Sequence, residues 1–235
     1  MVDLIPGPIH AENAPCQKIR LFAADMESTI IEQEMIDVIA EHIGCGKQVA
    51  AITRAAMEGA IDFEAALQAR VALFAGLDIA TLDQLYDRHV TLMPGAETMM
   101  RTLKAHGIAT ALVTGGFSIF AERVAARLGF DSWRANTLDI ADGRLTGRLV
   151  PPIIGRAGKR RALEDIAAWR GISLSETAAI GDGANDLDML MAAGVGIAFR
   201  AKPIVMDAML SRAGGAVLDD GNLTDALPLI GISIA

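Results

Sequence analysis

The chain has 235 residues, of which 52% are hydrophobic and 21% are charged, and its formal net charge is −8. This balance indicates a globular protein with one sizeable core, or a core with a smaller companion domain, and excludes a disordered chain. The negative charge argues against nucleic acid as a partner, because binding a phosphate backbone requires a basic face.

Residues 1–17 are predicted to form a loosely ordered N-terminal extension. Asp3 stands where a secretory signal would carry lysines, and no sustained apolar segment follows it. No apolar run approaches the roughly 18 residues that a membrane span needs. The two cysteines, Cys16 and Cys45, lack CxxC spacing, and the four histidines lack zinc-ligand spacing. We therefore expect a cytoplasmic protein with reduced thiols and no membrane partner.

The first half of the chain reads as one strand followed by helices. Residues 18–25 (KIRLFAAD) have an apolar centre bounded by charge, which is typical of a buried parallel strand. Helical periodicity then recurs over 34–43, 48–57, 63–74 and 81–90, with glycines between the segments. Four helices inserted after a single strand predict a small all-α unit.

Beyond Pro94 the pattern changes to alternating strands and helices. Strands are predicted at 108–114, 177–180 and 195–198, and a hairpin over 137–149 around Asp142-Gly143. Helices are predicted at 97–106, 118–128, 158–170 and 187–193. Such alternation predicts an α/β fold with a Rossmann-like parallel sheet, in which ligands bind at the carboxyl ends of the strands.

Three polar clusters directly follow apolar strands. They are Asp25-Met26-Glu27-Ser28-Thr29, Thr114-Gly115-Gly116 and Gly181-Asp182-Gly183-Ala184-Asn185-Asp186. Because parallel strands end at one edge of the sheet, we expect these clusters to meet there. Taken singly, each has a structural explanation as a turn or a helix cap, and the run Lys159-Arg160-Arg161 could be an ordinary solvated face.

Carboxylates dominate these clusters. Asp25 and Glu27 converge only if the backbone turns after the strand, and Asp182 would add a third carboxylate with Asp186 nearby. Carboxylates this close cannot all stay ionised without a cation, and an oxygen-only ligand set selects Mg²⁺ or a similar hard ion. With one lysine, Lys159, the set fits a phosphoryl-transfer site.

The motifs DMEST, TGGF, the lysine and GDGAND resemble, in order, the four motifs of the haloacid dehalogenase superfamily. Within it, the chain is similar to the phosphoserine phosphatase family from about Lys18 to the C-terminus. The resemblance implies a catalytic core at 18–31 and 93–235, with a helical-bundle cap at 32–92 that selects the substrate. The implied reaction is hydrolysis of O-phospho-L-serine, a small phosphomonoester, in serine biosynthesis.

The resemblance also implies roles for the acidic residues. Asp25 would attack phosphorus and become a phospho-aspartate, and Glu27 would protonate the departing serine oxygen and then activate water. Mg²⁺ would be held by Asp25, the carbonyl oxygen of Glu27 and Asp182. Asp186 would lie in the surrounding shell.

Phosphate and serine would bind to other residues by the same resemblance. Thr114 and Gly115 would hold phosphate oxygens, Lys159 would offset their charge, and Asn185 would shape the shell with Asp186.

In the cap, Arg70 interrupts an apolar stripe of the third predicted helix and needs an anionic partner, unless it snorkels past the stripe or pairs with a nearby acid. The stripe consists of Phe63, Leu67 and Phe74. The resemblance implies that the partner of Arg70 is the substrate carboxylate, that Glu34 meets the amino group, and that Met57 and Phe63 close over the alkyl part.

The sequence departs from the family pattern at two positions. Thr114 replaces a serine but keeps its hydroxyl. Glu27 replaces an aspartate, and the extra methylene moves the carboxyl by about 1 Å, a displacement that can slow catalysis. A slower second step would favour a phosphotransferase, and restoring aspartate is then expected to preserve or raise turnover. A phosphatase for another amino-acid-like phosphomonoester and a degenerate phosphometabolite-binding protein remain alternatives; a hydrolytic dehalogenase is a remote one.

Overall fold

The computed structural model describes residues 18–233. The predicted extension at 1–17, including Cys16, lies outside the described residues. Within them, no helix combines the length and apolarity that crossing a membrane requires. The predicted cytoplasmic location and the absence of nucleic-acid partners stay predictions.

One twisted sheet forms the centre of the described part of the chain. Its strands are Leu21–Ala24 (β1), Ala109–Phe117 (β2), Ser132–Ala141 (β3), Arg144–Val150 (β4), Thr177–Gly181 (β5), Val195–Phe199 (β6) and Gly215–Leu218 (β7). The spatial order is β4-β3-β2-β1-β5-β6-β7. All neighbours pair in parallel except β3 and β4, which form the antiparallel hairpin predicted at Asp142-Gly143.

Helices cover the sheet and form the predicted insertion after β1. The insertion contains Met35–His42 (α1), Gly46–Met57 (α2), Phe63–Ala72 (α3) and Ile79–His89 (α4). The remaining helices are Ala96–Ala105 (α5), Ser118–Leu128 (α6), Arg156–Trp169 (α7), Leu187–Ala192 (α8), Pro203–Leu210 (α9) and Ala226–Leu229 (α10). The predicted fold class is confirmed. Each predicted element is present with ends within three residues of those observed, except that the first strand of the hairpin begins at Ser132, five residues before the predicted start at 137. The sequence interpretation did not include α9, β7 and α10.

Strand β1 shows why the fold presents Asp25 at the edge of the sheet. Its four residues are fully buried and alternate in direction: Phe22 and Ala24 pack into the core on one face, and Leu21 and Ala23 into the core on the other. A strand buried on both faces between β2 and β5 has little freedom to shift its register. Asp25 follows at once, and its N–H donates to the carbonyl oxygen of Ile180 at 3.0 Å.

The insertion is joined to the β3–β4 hairpin by main-chain hydrogen bonds. Gly76 N donates to Leu145 O at 2.8 Å, Leu145 N to Leu77 O at 2.9 Å, and Ile79 N to Gly143 O at 3.0 Å. These bonds fix the α3–α4 loop on the hairpin. Helices α1 to α3 then lie above the carboxyl ends of the central strands. The division into a core and a cap at residues 32–92 stays a prediction.

Candidate active site

A cavity of about 600 Å³ lies between the carboxyl ends of the central strands and helices α1 to α3. Ten of the predicted site residues line it: Asp25, Glu27, Glu34, Met57, Phe63, Arg70, Thr114, Gly115, Asp182 and Asn185. The other two, Lys159 and Asp186, lie fully buried beneath its floor. The structure therefore brings all three polar clusters to one place, as the strand order predicts.

Asp25 sits at the floor of this cavity with its side chain only 6% exposed. Its Oδ1 atom forms an ion pair with Lys159 Nζ at 2.7 Å. Burial raises the pKa of Asp25 well above its usual value and Asp186 adds to the effect, while Lys159 opposes it. Ionised Asp25 therefore needs positive charge close by.

Lys159 supplies part of that charge from the first turn of α7. Its Nζ atom is 2.6 Å from Asp186 Oδ1 and bridges that carboxylate to Asp25. Burial alone would lower the pKa of Lys159, but the two carboxylates outweigh it and raise the pKa above its ordinary value. The solvated-face interpretation fails for Lys159, which is fully buried, whereas Arg160 and Arg161 are exposed.

Asp25, Asp182 and Asp186 form an oxygen-only cluster in which one carboxylate oxygen from each lies within 4.8 Å of the others. Burial and Asp186 raise the pKa of Asp182 to about 7. Thr29 Oγ1 donates to Asp182 Oδ1 at 3.3 Å, and Gly183 N donates to Asp186 Oδ2 at 2.9 Å. A hard cation would relieve this repulsion between three carboxylates, so the donor set fits Mg²⁺.

The backbone turns after β1, as convergence of the first two acids requires. Ser28 has a φ of 55°, and Ile30 N donates to Met26 O at 2.8 Å. Glu27 Oε1 accepts from the N–H of Met35, the first residue of α1, at 2.9 Å. The Glu27 carboxylate also lies against Gly116, where any Cβ would overlap it. Desolvation, followed by the charges of Glu34 and Asp25, raises the pKa of Glu27 well above its usual value.

The second polar cluster closes the cavity from the side of β2. Thr114 is fully buried, and its Oγ1 accepts from Gly116 N at 2.8 Å. The ring of Phe63 and the amide of Asn185 approach Gly115 closely: a Cβ at this glycine would lie 3.4 Å from Phe63 Cζ and 3.6 Å from Asn185 Nδ2. Gly115, which has no side chain, therefore presents its backbone to the cavity.

Arg70 points a guanidinium group into the cavity from α3. Its hydrogen bonds go to uncharged groups, from Nε to Ala66 O at 3.2 Å and from Nη1 to Thr53 Oγ1 at 3.4 Å. Burial lowers the pKa of Arg70, and Asp37 and Glu34 counteract this. In the predicted stripe, Leu67 and Phe74 are buried, although α3 ends at Ala72.

Two further predicted substrate contacts are less enclosed. Glu34, immediately before α1, is exposed and accepts a hydrogen bond from Ser28 Oγ at 2.8 Å. Met57, the last residue of α2, lines the cavity but is 73% exposed.

The structure adds three polar residues to which the sequence interpretation gave no role, although Thr29 lies in the first polar cluster. Thr29 orients Asp182, Lys202 lines the cavity and donates its backbone N–H to Asp182 O at 3.0 Å, and Asn136 is buried behind Gly115. Asn136 lies at an inward position of the observed β3 but one residue before the predicted hairpin, so the sequence interpretation had no strand position from which to identify it. Lys202 follows a strand end in the sequence AFRAKP, so the same edge rule that found Asp182 applies to it.

The family model and the similar proteins of known sequence point to the same family. The model of the haloacid dehalogenase-like hydrolases matches residues 22–191. A phosphoserine phosphatase of Streptomyces coelicolor is 50% identical over 200 residues, which are 85% of this chain and 48% of that protein. A phosphoserine phosphatase of Albidiferax ferrireducens is 42% identical over 212 residues, covering 87% of this chain and 90% of that protein.

A solved structure described as a phospho-aspartyl intermediate analogue of phosphoserine phosphatase has the same fold. It superposes with a TM-score of 0.82 at 37% identity, covering 92% of this chain and 100% of that one. The chain spans about half the length of the Streptomyces relative and nearly all of the Albidiferax relative.

Proposed function

Because the chain belongs to the haloacid dehalogenase-like hydrolases, we propose that it is a magnesium-dependent phosphoserine phosphatase of serine biosynthesis. The observation that carries the proposal is the buried Asp25–Lys159–Asp186 group at the floor of a cavity that also presents Arg70. The end of the cavity at Asp25 and Lys159 suits a phosphoryl group, and the end at Arg70 suits a carboxylate. Its relatives at up to 50% identity are phosphoserine phosphatases.

Mg²⁺ would be held by Asp25, Asp182 and the carbonyl oxygen of Glu27, with Asp186 beside them. The three clustered carboxylates support this assignment. When bound, the ion would offset the charge of the phosphoryl oxygens and keep Asp25 ionised.

In the first step, an Asp25 oxygen attacks phosphorus while the bond from phosphorus to the serine oxygen breaks. Glu27 gives its proton to that departing oxygen, a role that the raised pKa of Glu27 supports. Thr114 and Gly115 hold phosphoryl oxygens, and the Lys159 ammonium stays beside Asp25 to balance the charge. The similar structure of a phospho-aspartyl intermediate analogue supports a covalent step on Asp25.

In the second step, water attacks the phosphorus of phospho-Asp25 and the acyl phosphate bond breaks. Glu27, now deprotonated, takes the proton of the water, so that Asp25 and protonated Glu27 are regenerated with release of phosphate.

Substrate choice would reside in the proposed cap, residues 32–92. Arg70 would bind the serine carboxylate, since within residues 18–233 its guanidinium donates hydrogen bonds to the uncharged groups of Ala66 and Thr53 and to no carboxylate. Glu34, which is oriented by a hydrogen bond from Ser28, would accept hydrogen bonds from the ammonium group of the substrate. Phe63 and Met57 would cover the short alkyl part.

A substrate panel tests the proposal. Phosphate release is measured from phosphoserine, phosphothreonine, phosphoethanolamine and a sugar phosphate, each with Mg²⁺ or a chelator, and with an added acceptor alcohol. We expect Mg²⁺-dependent release that is fastest from phosphoserine and poor from phosphoethanolamine, which lacks the carboxylate. Transfer to the alcohol without release would identify a phosphotransferase, and phosphoserine binding without turnover would identify a binding protein; either result contradicts the proposal.

A further inference from the structure

Strand β3 carries a buried amide that the catalytic scheme leaves unused. Asn136 is 1% exposed and does not line the cavity. The next inward residue of the strand, Leu138, is apolar, as is usual for this face. Burying an amide is costly unless its donors and acceptor find partners, so the contacts of Asn136 indicate what it does.

The amide of Asn136 uses both of its ends. Oδ1 accepts from Ile154 N at 2.7 Å, while Nδ2 donates to Gly115 O at 2.8 Å and to Ile154 O at 3.2 Å. Gly115 belongs to the end of β2, and Ile154 to the segment that leads into α7. One side chain therefore ties together two segments that are far apart in the sequence.

At the end of β2, the bond to Gly115 O orients a peptide plane. In a trans peptide the C=O and the following N–H point in opposite directions, so fixing Gly115 C=O also fixes Gly116 N–H. That N–H donates to Thr114 Oγ1 at 2.8 Å. Because the oxygen of the Thr114 hydroxyl already has this donor, its hydrogen is left to be donated into the cavity.

In the segment between β4 and α7, the two bonds to Ile154 fix the start of α7. The helix begins at Arg156, and Lys159 N donates to Gly155 O at 2.9 Å in its first turn. The position of Lys159 Nζ beneath Asp25 therefore depends on where residue 154 is held.

We propose that Asn136 is a positioning residue that sets the spacing between the Thr114 hydroxyl and the Lys159 ammonium, and so the geometry of phosphate binding. It acts through Gly115 and Ile154 without touching the substrate. The inference rests on the proposed function only in taking residues 114–116 as the phosphate site.

Two variants test this role. Asn136→Asp keeps the shape but replaces both donors with an oxygen that faces two carbonyl oxygens, and Asn136→Ser keeps a single hydroxyl. With p-nitrophenyl phosphate as a generic substrate, we expect kcat to fall about tenfold or more in Asn136→Asp and less in Asn136→Ser. Inhibition by inorganic phosphate should weaken by about the same factor, while inhibition by L-serine, which uses the Arg70 end, should stay unchanged.

Two controls separate positioning from loss of stability. Thr137→Val changes the exposed neighbour on the opposite face of β3 and should leave both inhibitions unchanged. Leu138→Ala removes a buried side chain of the same strand and should lower the melting temperature without changing a hydrogen bond to Gly115 or Ile154. If Asn136→Asp does not fold, Asn136→Ser decides the question.

The proposal is overturned if phosphate inhibition is unchanged, if phosphate and serine inhibition weaken together, or if the effects match those of Leu138→Ala at an equal shift in melting temperature. A wild-type protein that binds phosphate but does not hydrolyse phosphoserine would contradict the proposed function instead. The comparison of phosphate inhibition between variants would still test Asn136.

Discussion

Lys159 illustrates how much a single residue depends on the fold around it. In the sequence it opens a basic run, and only burial distinguishes it from Arg160 and Arg161. In the structure it stands between Asp25 and Asp186 at 2.7 and 2.6 Å. A buried ammonium flanked by two carboxylates is favourable only as a complete group, because removing one partner leaves an uncompensated charge.

Glu27 is the residue for which the structure changes the expectation. The sequence alone suggests that Glu27→Asp preserves turnover, but Glu27 Oε1 accepts from Met35 N at 2.9 Å and the carboxylate packs on Gly116. A side chain shorter by one methylene would place its carboxylate about 1 Å from this position. We expect Glu27→Asp to lower kcat by roughly tenfold to a hundredfold, measured by steady-state phosphate release. Unchanged or higher turnover would mean that the loop backbone compensates.

Arg70 gives a prediction about specificity. Arg70→Lys keeps the charge but loses the planar fork that binds a carboxylate at two points, so KM for phosphoserine should rise roughly tenfold to a hundredfold. Turnover of phosphoethanolamine, which has no carboxylate, should not change. Arg54→Met on the neighbouring helix is the matched control, because Arg54 does not line the catalytic cavity. An equal loss for both substrates would show that Arg70 is structural.

At the scale of elements, the order of strands and helices and the meeting of three polar clusters could be predicted from the sequence. Each cluster follows a strongly apolar strand, and the topology of a parallel sheet brings their ends together. The last elements could not be predicted, because α9 is apolar on most sides and β7 has four half-buried residues, so neither shows a clear period. The bonds of Asn136 and Glu27 join distant segments, and local pattern carries no information about them.

The contact between the helical insertion and the β3–β4 hairpin can be tested at two glycines, one in the hairpin turn and one in β4. Gly143 and Gly147 both have positive φ, 74° and 82°, but a Cβ at Gly143 meets nothing within 4 Å, whereas at Gly147 it lies 2.9 Å from Ala75 Cβ and 3.2 Å from Ala72 O. Gly143→Ala should cost about 1–2 kcal/mol from backbone strain alone. Gly147→Ala should cost about 1–3 kcal/mol more, from overpacking against α3.

Urea denaturation of both variants measures the difference in the free energy of unfolding. Equal costs at the two positions would mean that the hairpin does not hold the α3–α4 segment as tightly as these contacts indicate.

At the scale of the whole molecule, the chain combines a net charge of −8 with a site for an anionic substrate. The attraction must therefore be local, from Lys159, Arg70, Lys202 and a bound cation. Without a cation, the acidic cluster opposes folding whenever its members are ionised.

This cluster predicts a pH-dependent effect of Mg²⁺ on stability. The pKa of Asp182 is raised from 3.8 to about 7 in the metal-free fold, so the folded state binds more protons than the unfolded state between these values. The metal-free protein should therefore lose stability as pH rises from about 4 to about 7. Mg²⁺ requires ionised ligands, so the rise in melting temperature that it causes should grow as pH increases through about 7.

Thermal unfolding with and without Mg²⁺ at several pH values measures this effect. Asp182→Asn should remove most of the rise, whereas Asp207→Asn, which changes an exposed carboxylate outside the cluster, should not. A Mg²⁺ effect of constant size across this pH range would contradict the ligand assignment.

Covalent phosphorylation of Asp25 is tested most directly by rapid acid quench during turnover of phosphoserine with Mg²⁺, followed by mass spectrometry of the digested protein. We predict a phosphoryl group on the peptide containing Asp25 in the wild type, and neither this adduct nor phosphate release in Asp25→Asn. Phosphate release by Asp25→Asn near the wild-type rate, or a phosphoryl group on a different residue, would contradict the account.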